Sequence, residues 1–293
     1  MSAPAAVMEA PGVLARAQSA PLIEVRDVSV RFGGIVALDR VSFTIAGGNL
    51  LGLIGPNGAG KTTLFNCFSR LYTPTSGDIV FEGTSILGRP PHRIADIGIG
   101  RTFQNLALFR SLSVFDNILI GRHARERTGF LANAVRPSRV TAEETEARTA
   151  AATLVDFLAL GEVAALPAGA LPFGTQKRVE LGRALASQPR LLLLDEPASG
   201  LNHEEIDALA GLIRDIRDRL GITILLVEHH MNLVMNVSDQ VVALDFGRKI
   251  AEGTPAQVRN DPEVIRAYLG VGSGSNGVRL DEGQTPLEPD PSV

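Results

Sequence analysis

The run Gly55-Pro56-Asn57-Gly58-Ala59-Gly60-Lys61-Thr62-Thr63, which follows the apolar segment Asn49 to Ile54, restricts this chain's fold more than any other feature. Closely spaced glycines let the backbone turn through conformations that other residues avoid. The order is a strand, a glycine-rich turn and then a helix beginning near Lys61, which is the setting of a phosphate-binding loop. Backbone N–H groups of such a turn can approach phosphate oxygens, and the helix presents its positive end to them. Lys61 is placed to reach β- and γ-phosphates and the Thr62 hydroxyl to ligate magnesium. The plainer alternative, a merely glycine-rich turn, does not account for the strand before it and the helix after it.

Composition narrows what such a chain does. Its 293 residues, 45% of them hydrophobic, can bury a sizeable core as one large or two modest domains. A net charge of -4 and a pI near 5.8 give no general basic field for nucleic acid, so nucleic acid is not expected as a partner. Cys67, the only cysteine, can form neither an internal disulfide nor a zinc site, which suits a reducing cytoplasm. The longest apolar runs, Ile222 to Val227 and Leu191 to Leu194, fall far short of the roughly 18 to 20 residues that cross a bilayer. Residues 1–20 read as a flexible extension without a secretory apolar stretch, because Pro4, Glu9 and Pro11 interrupt it. Residues 271–293 are rich in Gly, Ser, Pro and acids and read as a disordered tail.

Between these ends, at 21–270, strand-like runs alternate with helical stretches in an α/β pattern. Leu22 to Phe32 and Val41 to Ile45 read as strands, and Gly47-Gly48 as a hairpin turn into Asn49 to Ile54. Ser76-Gly77 opens a strand through Phe81. After Gln104 the character becomes helical, which predicts an inserted helical subdomain at about 105–172. Within it Thr141 to Leu160 reads as a helix, capped by Thr141 with Glu144, stopped by Gly161, and apolar along Ala151, Leu154, Val155 and Leu158. Thr175 to Ser187 reads as a helix stopped by Pro189. Arg190 to Asp195 and Thr223 to Glu228 read as buried strands, and Gln240 to Phe246 with Lys249 to Glu252 as a closing hairpin around Gly247.

Several residues stand where nucleotide chemistry needs them. Asp195 and Glu196 end the strand of four leucines, beside the phosphate loop at the carboxyl edge of the sheet. Asp195 can bind magnesium directly or through water, and Glu196 can polarise or deprotonate an attacking water. Carboxylates that merely cap a strand are common, but not in company with a phosphate loop. Gln104 offers a carboxamide that can ligate magnesium and orient water. His229 ends another buried strand, where an imidazole can donate to the γ-phosphate. Phe32, before Gly33-Gly34, can stack on adenine or pack in the core.

Together these motifs resemble the ABC transporter ATPase family over Leu22 to Gly270. The resemblance implies a P-loop NTPase core of RecA type, with an antiparallel β subdomain and the helical insert. It makes Gly55 to Thr63 the Walker A loop, Leu191 to Glu196 Walker B, Gln104 the Q-loop glutamine, His229 the switch histidine and Phe32 the adenine-stacking aromatic. The family's signature stands here as Leu171-Pro172-Phe173-Gly174-Thr175-Gln176-Lys177, departing from Leu-Ser-Gly-Gly-Gln. In the family this element meets the γ-phosphate held by the opposite subunit, so Gly174 and Thr175 are implied nucleotide contacts. Pro172 has no hydroxyl to offer the phosphate. Asn202 replaces the usual aspartate of the D-loop, and His230 follows the switch histidine where aspartate is common.

Arg101-Thr102-Phe103-Gln104, the Pro-Phe-Gly signature, the insert with Gly129-Phe130-Leu131 and the ending Val264-Ile265-Arg266-Ala267-Tyr268-Leu269-Gly270 look like the branched-chain amino acid importer ATPases. Urea or short-chain amide importers share much of this pattern, and the lipopolysaccharide-export ATPase is a more distant lookalike. The resemblance implies ATP and Mg2+ as ligands and a place on the cytoplasmic face of the cell membrane. It implies as partners transmembrane permease subunits, a second ATPase subunit of the same or a similar chain and, indirectly, a substrate-binding protein. A soluble ABC ATPase acting on DNA or ribosomes, or an ATP-sensing module that does not hydrolyse, are the rival classes. The first usually carries two ATPase halves or long coiled-coil insertions, and the second does not need Glu196, Gln104 and His229 together. Arg125, Arg127, Arg136 and Arg139 read as a solvated charged face, with acidic lipid or the permease as the alternative contact.

Overall fold

The computed structural model describes residues 21–102, 106–122 and 137–269, with side chains omitted at 137–142. Strands β1 (Ile23–Phe32), β2 (Ile35–Ile45), β4 (Ser76–Phe81) and β5 (Thr84–Ser85) form an antiparallel sheet in the order β2-β1-β4-β5. Strands β3 (Leu50–Ile54), β6 (Ile99–Arg101), β7 (Leu191–Asp195), β8 (Thr223–Val227), β9 (Gln240–Asp245) and β10 (Arg248–Gly253) form the second sheet, in the order β10-β9-β3-β8-β7-β6. The pairs from β9 to β6 are parallel and only β10 runs antiparallel. Parallel strands are covered on both faces and so read as unbroken apolar runs. Accordingly every residue of Leu50–Ile54, Leu191–Asp195 and Thr223–Val227 is buried.

The period of two along these strands divides the interior into two cores. Leu50, Ile54, Leu192, Leu194, Ile224 and Leu226 face the helical side. Leu51, Leu53, Leu191, Leu193, Leu225 and Val227 face the antiparallel sheet and α1 (Lys61–Phe68), whose Leu64, Phe65 and Phe68 are fully buried there. On the helical side lie α2 (Val114–Ile120), α3 (Pro137–Phe157), α4 (Phe173–Ala186), α5 (His203–Leu220), α6 (Met231–Val237), α7 (Pro255–Arg259) and α8 (Pro262–Leu269). The predicted apolar face of α3 is present, with Ala151, Val155 and Leu158 buried and Leu154 partly so.

Glycines set the closest helix contacts. A Cβ on Gly182 of α4 would stand 2.6 Å from Leu158 and 3.0 Å from Ile118, and one on Gly121, at the end of α2, would stand 2.0 Å from the Arg183 carbonyl oxygen. Thus α2 and α4 touch almost backbone to backbone.

Four local expectations are corrected. Gly47-Gly48 does not close a hairpin: β2 pairs with β1 and β3 pairs with β8 and β9, so this turn carries the chain from one sheet to the other. The hairpin belongs to Gly33-Gly34, across which Phe32 pairs with Ile35, and β2 therefore starts six residues before Val41. Turn chemistry marks a bend, but burial on both faces decided which strand β3 joins. The α3 helix begins at Pro137, so Thr141 lies inside it rather than at its cap. The helix ends without Gly161: Ala159 takes the left-handed conformation at φ 52°, and the Leu160 amide donates back to the Val155 carbonyl at 2.9 Å.

The Cβ missing from Gly52 matters most for α6. In its place a methyl group would meet Val234 at 2.4 Å and Ser238 at 2.7 Å. Gly52→Leu is expected to lower the stability by about 1–3 kcal/mol through overpacking. Urea unfolding checks this, and an unchanged midpoint would mean that α6 is not seated on β3.

Candidate active site

Register brings the strand ends together. Leu53 and Asp195 both pair with Val227, so the carboxyl ends of β3, β7 and β8 lie side by side with β8 in the middle. This is where open parallel sheets place their ligands.

The phosphate loop leaves β3 through Gly55, whose φ is +149°; an added Cβ there would meet the Leu244 carbonyl oxygen at 2.2 Å. Gly58 and Gly60 also have positive φ, and Gly60 caps α1 in the left-handed conformation at φ 100°. Pro56, Asn57 and Gly58 form the open part of the loop, while Ala59 is buried and its carbonyl accepts from the Gly247 amide at 3.1 Å. Lys61, Thr62 and Thr63 make the first turn of α1, which carries no acidic residue, so its positive end is not offset locally. Lys61 is only 7% exposed, and its Nζ donates to the Gly55 carbonyl at 2.6 Å and to the Pro56 carbonyl at 3.1 Å. Burial pulls its pKa below the ordinary lysine value, with the Glu196 charge opposing. The ammonium has three donors; two hold the loop, and the third can serve a ligand.

Asp195 is buried at the end of β7. Its Oδ2 accepts from Arg101 Nη2 at 3.3 Å, and the same guanidinium donates to Asn66 at 2.9 Å and Ser69 at 2.8 Å at the far end of α1. Burial raises the Asp195 carboxyl above its usual range and Arg101 opposes the rise. Arg101 therefore ties β6, α1 and β7 into one unit, a role its place three residues before Gln104 does not disclose. Gln104 itself lies outside the described residues, as do Phe103, Gly129-Phe130-Leu131, Arg125, Arg127, Arg136 and the two termini; the Arg139 side chain does too.

Glu196 is partly exposed and has a left-handed backbone at φ 47°, a conformation that costs a non-glycine residue about 1–3 kcal/mol. Its amide donates to the Val227 carbonyl at 2.8 Å, so β8 holds it there. His229 is half exposed, and its Nδ1 lies 3.9 Å from Glu196 Oε2 and 3.9 Å from Glu228 Oε2. Those separations exceed a hydrogen bond.

Glu228 went unassigned in the sequence. It is fully buried and accepts from three amides, those of Ala198 at 2.7 Å, His229 at 3.0 Å and His230 at 3.2 Å. It thereby locks the segment after β7 to the segment after β8. The available signal was an acid at the end of the apolar run Thr223 to Val227, where only backbone donors could satisfy it.

The signature segment opens α4. Pro172 caps that helix without a side-chain bond, Gly174 is partly buried, and Thr175 lies in the first turn. A Cβ on Gly174 would meet Glu205 Oε1 at 2.5 Å. Glu205 and Asn202 form the reciprocal cap of α5, so the Asn202 side chain is engaged within its own chain. Phe32 is 46% exposed and meets Tyr72 edge-on at 5.1 Å between ring centroids, so it lies outside the packed cores.

The ABC transporter family profile matches residues 38–199, more than half of the chain. This chain belongs to the ABC transporter family. It is the ATPase component of that family. A second profile, branched-chain amino acid ATP-binding cassette transporter, matches residues 248–273. The high-affinity branched-chain amino acid transport ATP-binding protein BraF of Pseudomonas aeruginosa is 43% identical over 252 residues, which cover 86% of this chain and 99% of BraF. The corresponding protein LivG of Escherichia coli K12 is 42% identical over 252 residues, with the same coverage. An ATP-binding cassette of an ABC transporter, solved in its ADP conformation, superposes with TM-score 0.75 at 30% identity, covering 86% of this chain and all of that one, 100%. The P-loop NTPase core, the antiparallel sheet and the helical side of this ABC ATPase thus agree with the expected fold class.

Replacing Glu228 by glutamine leaves one carbonyl oxygen and turns an NH2 group toward backbone donors. Glu228→Gln is expected to cost about 1–3 kcal/mol of stability, the penalty for buried donors left unmet. Chemical denaturation tests it; a variant as stable as the parent would mean that the three amides find other acceptors.

Proposed function

We propose that this ABC ATPase hydrolyses ATP to drive import of branched-chain amino acids, working at the cytoplasmic face of the cell membrane with transmembrane permease subunits. The observation that carries the chemistry is the meeting of Lys61, Asp195, Glu196 and His229 at the aligned ends of three strands. The cargo is supported by the names of the relatives, BraF and LivG, and by the second profile at 248–273. Among the described residues no helix is long and apolar enough to cross a membrane. The cargo is delivered by a separate substrate-binding protein, and a second ATPase subunit completes each nucleotide site with its Gly174 and Thr175.

In this reading Phe32 stacks on adenine and the loop from Gly55 to Thr63 wraps the phosphates, its amides beyond Pro56 donating to them, with Lys61 reaching the β- and γ-groups. The oxygen donors present fit magnesium, a hard cation that takes few protein ligands beside phosphate and water. Thr62 and Asp195 would hold it, with Gln104 a further candidate. Magnesium supplies charge neutralisation on the phosphoryl oxygens. Glu196 accepts a proton from water as the water oxygen bonds to the γ-phosphorus. The β–γ bridging P–O bond breaks and its electron pair leaves with ADP. His229 orients the γ-phosphate, with its Nδ1 3.9 Å from the Glu196 carboxylate.

Glu196→Gln is expected to bind ATP with near-parental affinity, lose about 100-fold or more in turnover and accumulate as an ATP-bound dimer. Phosphate release and size-exclusion chromatography report on this, and full turnover would remove Glu196 from the chemistry. Lys61→Ala is expected to lose at least about tenfold in ATP affinity, the loss of one charge-assisted bond. Unchanged titration with a fluorescent ATP analogue would contradict the phosphate-loop role. Uptake of labelled leucine and urea into vesicles holding the complete transporter separates the cargo readings: urea transport without leucine transport would reassign it.

A further inference from the structure

The helix Pro262–Leu269 carries an aromatic side chain that reaches the phosphate loop. Tyr268, on α8, is partly buried against the helical-side core, and its hydroxyl oxygen accepts the Gly55 amide at 2.8 Å. Gly55 has just left β3, whose ladder to β9 ends at Ile54 pairing with Ala243. Its amide therefore passes from the sheet to a side chain about 210 residues further along. The carbonyl of the same residue accepts Lys61 Nζ at 2.6 Å. One glycine is thus held on its amide by Tyr268 and on its oxygen holds Lys61. The other end of the loop is fixed from the same part of the chain, by the Gly247 amide on the Ala59 carbonyl at 3.1 Å.

We propose that Tyr268 is a positioning residue for nucleotide binding, acting through Gly55 on the Lys61 ammonium. The Tyr268 hydroxyl fixes the Ile54–Gly55 peptide and so one side of the Gly55 Cα, the Gly55 carbonyl in the next peptide plane aims Lys61, and the aimed lysine keeps one donor for the phosphates. Without the hydroxyl the ring still fills its place in the core, but the Gly55 amide loses its acceptor and Lys61 loses a fixed anchor. The α8 helix thereby becomes part of the nucleotide site without touching nucleotide. This rests on the phosphate-loop reading above.

The test is Tyr268→Phe in the full chain, with ATP affinity measured by calorimetry or by a fluorescent ATP analogue, beside the parent, Lys61→Ala and Ile265→Ala. Ile265 lies on the same helix and is 45% exposed, so its truncation controls for general loosening of α8. The expected result is a three- to tenfold weaker Kd for ATP in Tyr268→Phe, roughly the equivalent of one ordinary hydrogen bond, with Ile265→Ala at the parental value. A purely structural hydroxyl would lower the melting temperature and leave the Kd unchanged, and that outcome overturns the proposal. Failure of the parent to bind ATP, or parental binding by Lys61→Ala, would instead overturn the phosphate-loop reading and this inference with it. Should Tyr268→Phe not fold, hydrogen exchange at Gly55 in the parent without nucleotide decides. Slow exchange is expected, and exchange at the rate of an unprotected loop amide overturns the proposal.

Discussion

The chemistry of this protein depends on parallel pairing between three fully buried strands. Because β8 separates β3 from β7 and pairs with both in matched register, a lysine after one strand, two acids ending another and a histidine after the third arrive at one edge. Apart from the adjacent acids Asp195 and Glu196, these groups are far apart in sequence. Their proximity is a property of the sheet, and a shift of one residue in any strand would turn its apolar side chains to the wrong core as well as misplace the functional end. Packing on both faces and placement of the site are therefore one constraint, enforced by about a dozen leucines, isoleucines and valines.

The site is built with its charges already partnered. Lys61 is held by its own loop, Asp195 by Arg101, and the backbone around Glu196 and His229 by the buried Glu228. An unpaired charge in such surroundings carries a large desolvation cost. These contacts keep the groups near working geometry before any ligand arrives, which is the usual basis of electrostatic preorganisation. The left-handed Glu196 backbone fits this view, since strain at the end of β7 is tolerated where β8 and Glu228 fix the chain on either side.

Local pattern and global pairing were not equally legible in the sequence. The unbroken apolar runs at Leu191 to Leu194 and Thr223 to Val227 announced buried strands, and the glycine, lysine and threonine order announced the loop, because each depends on neighbouring residues alone. The Gly47-Gly48 turn misled because the same dipeptide serves a hairpin and a passage between sheets, and the choice is made by distant partners. The α3 start was misread for a related reason: a Thr and Glu three apart satisfy a cap pattern, yet the helix continues upstream to Pro137. Arg101, Glu228 and Tyr268 escaped assignment because their meaning lies in contacts to residues 94, 30 and 213 positions away.

The glycine seam between α2 and α4 has a mechanical consequence. Side chains that interdigitate loosely can slip from one rotamer to another under load, whereas Gly121 and Gly182 leave no such slack between their helices. A push delivered at α4, which begins at the signature segment, is passed to α2 as displacement and not absorbed as local rearrangement.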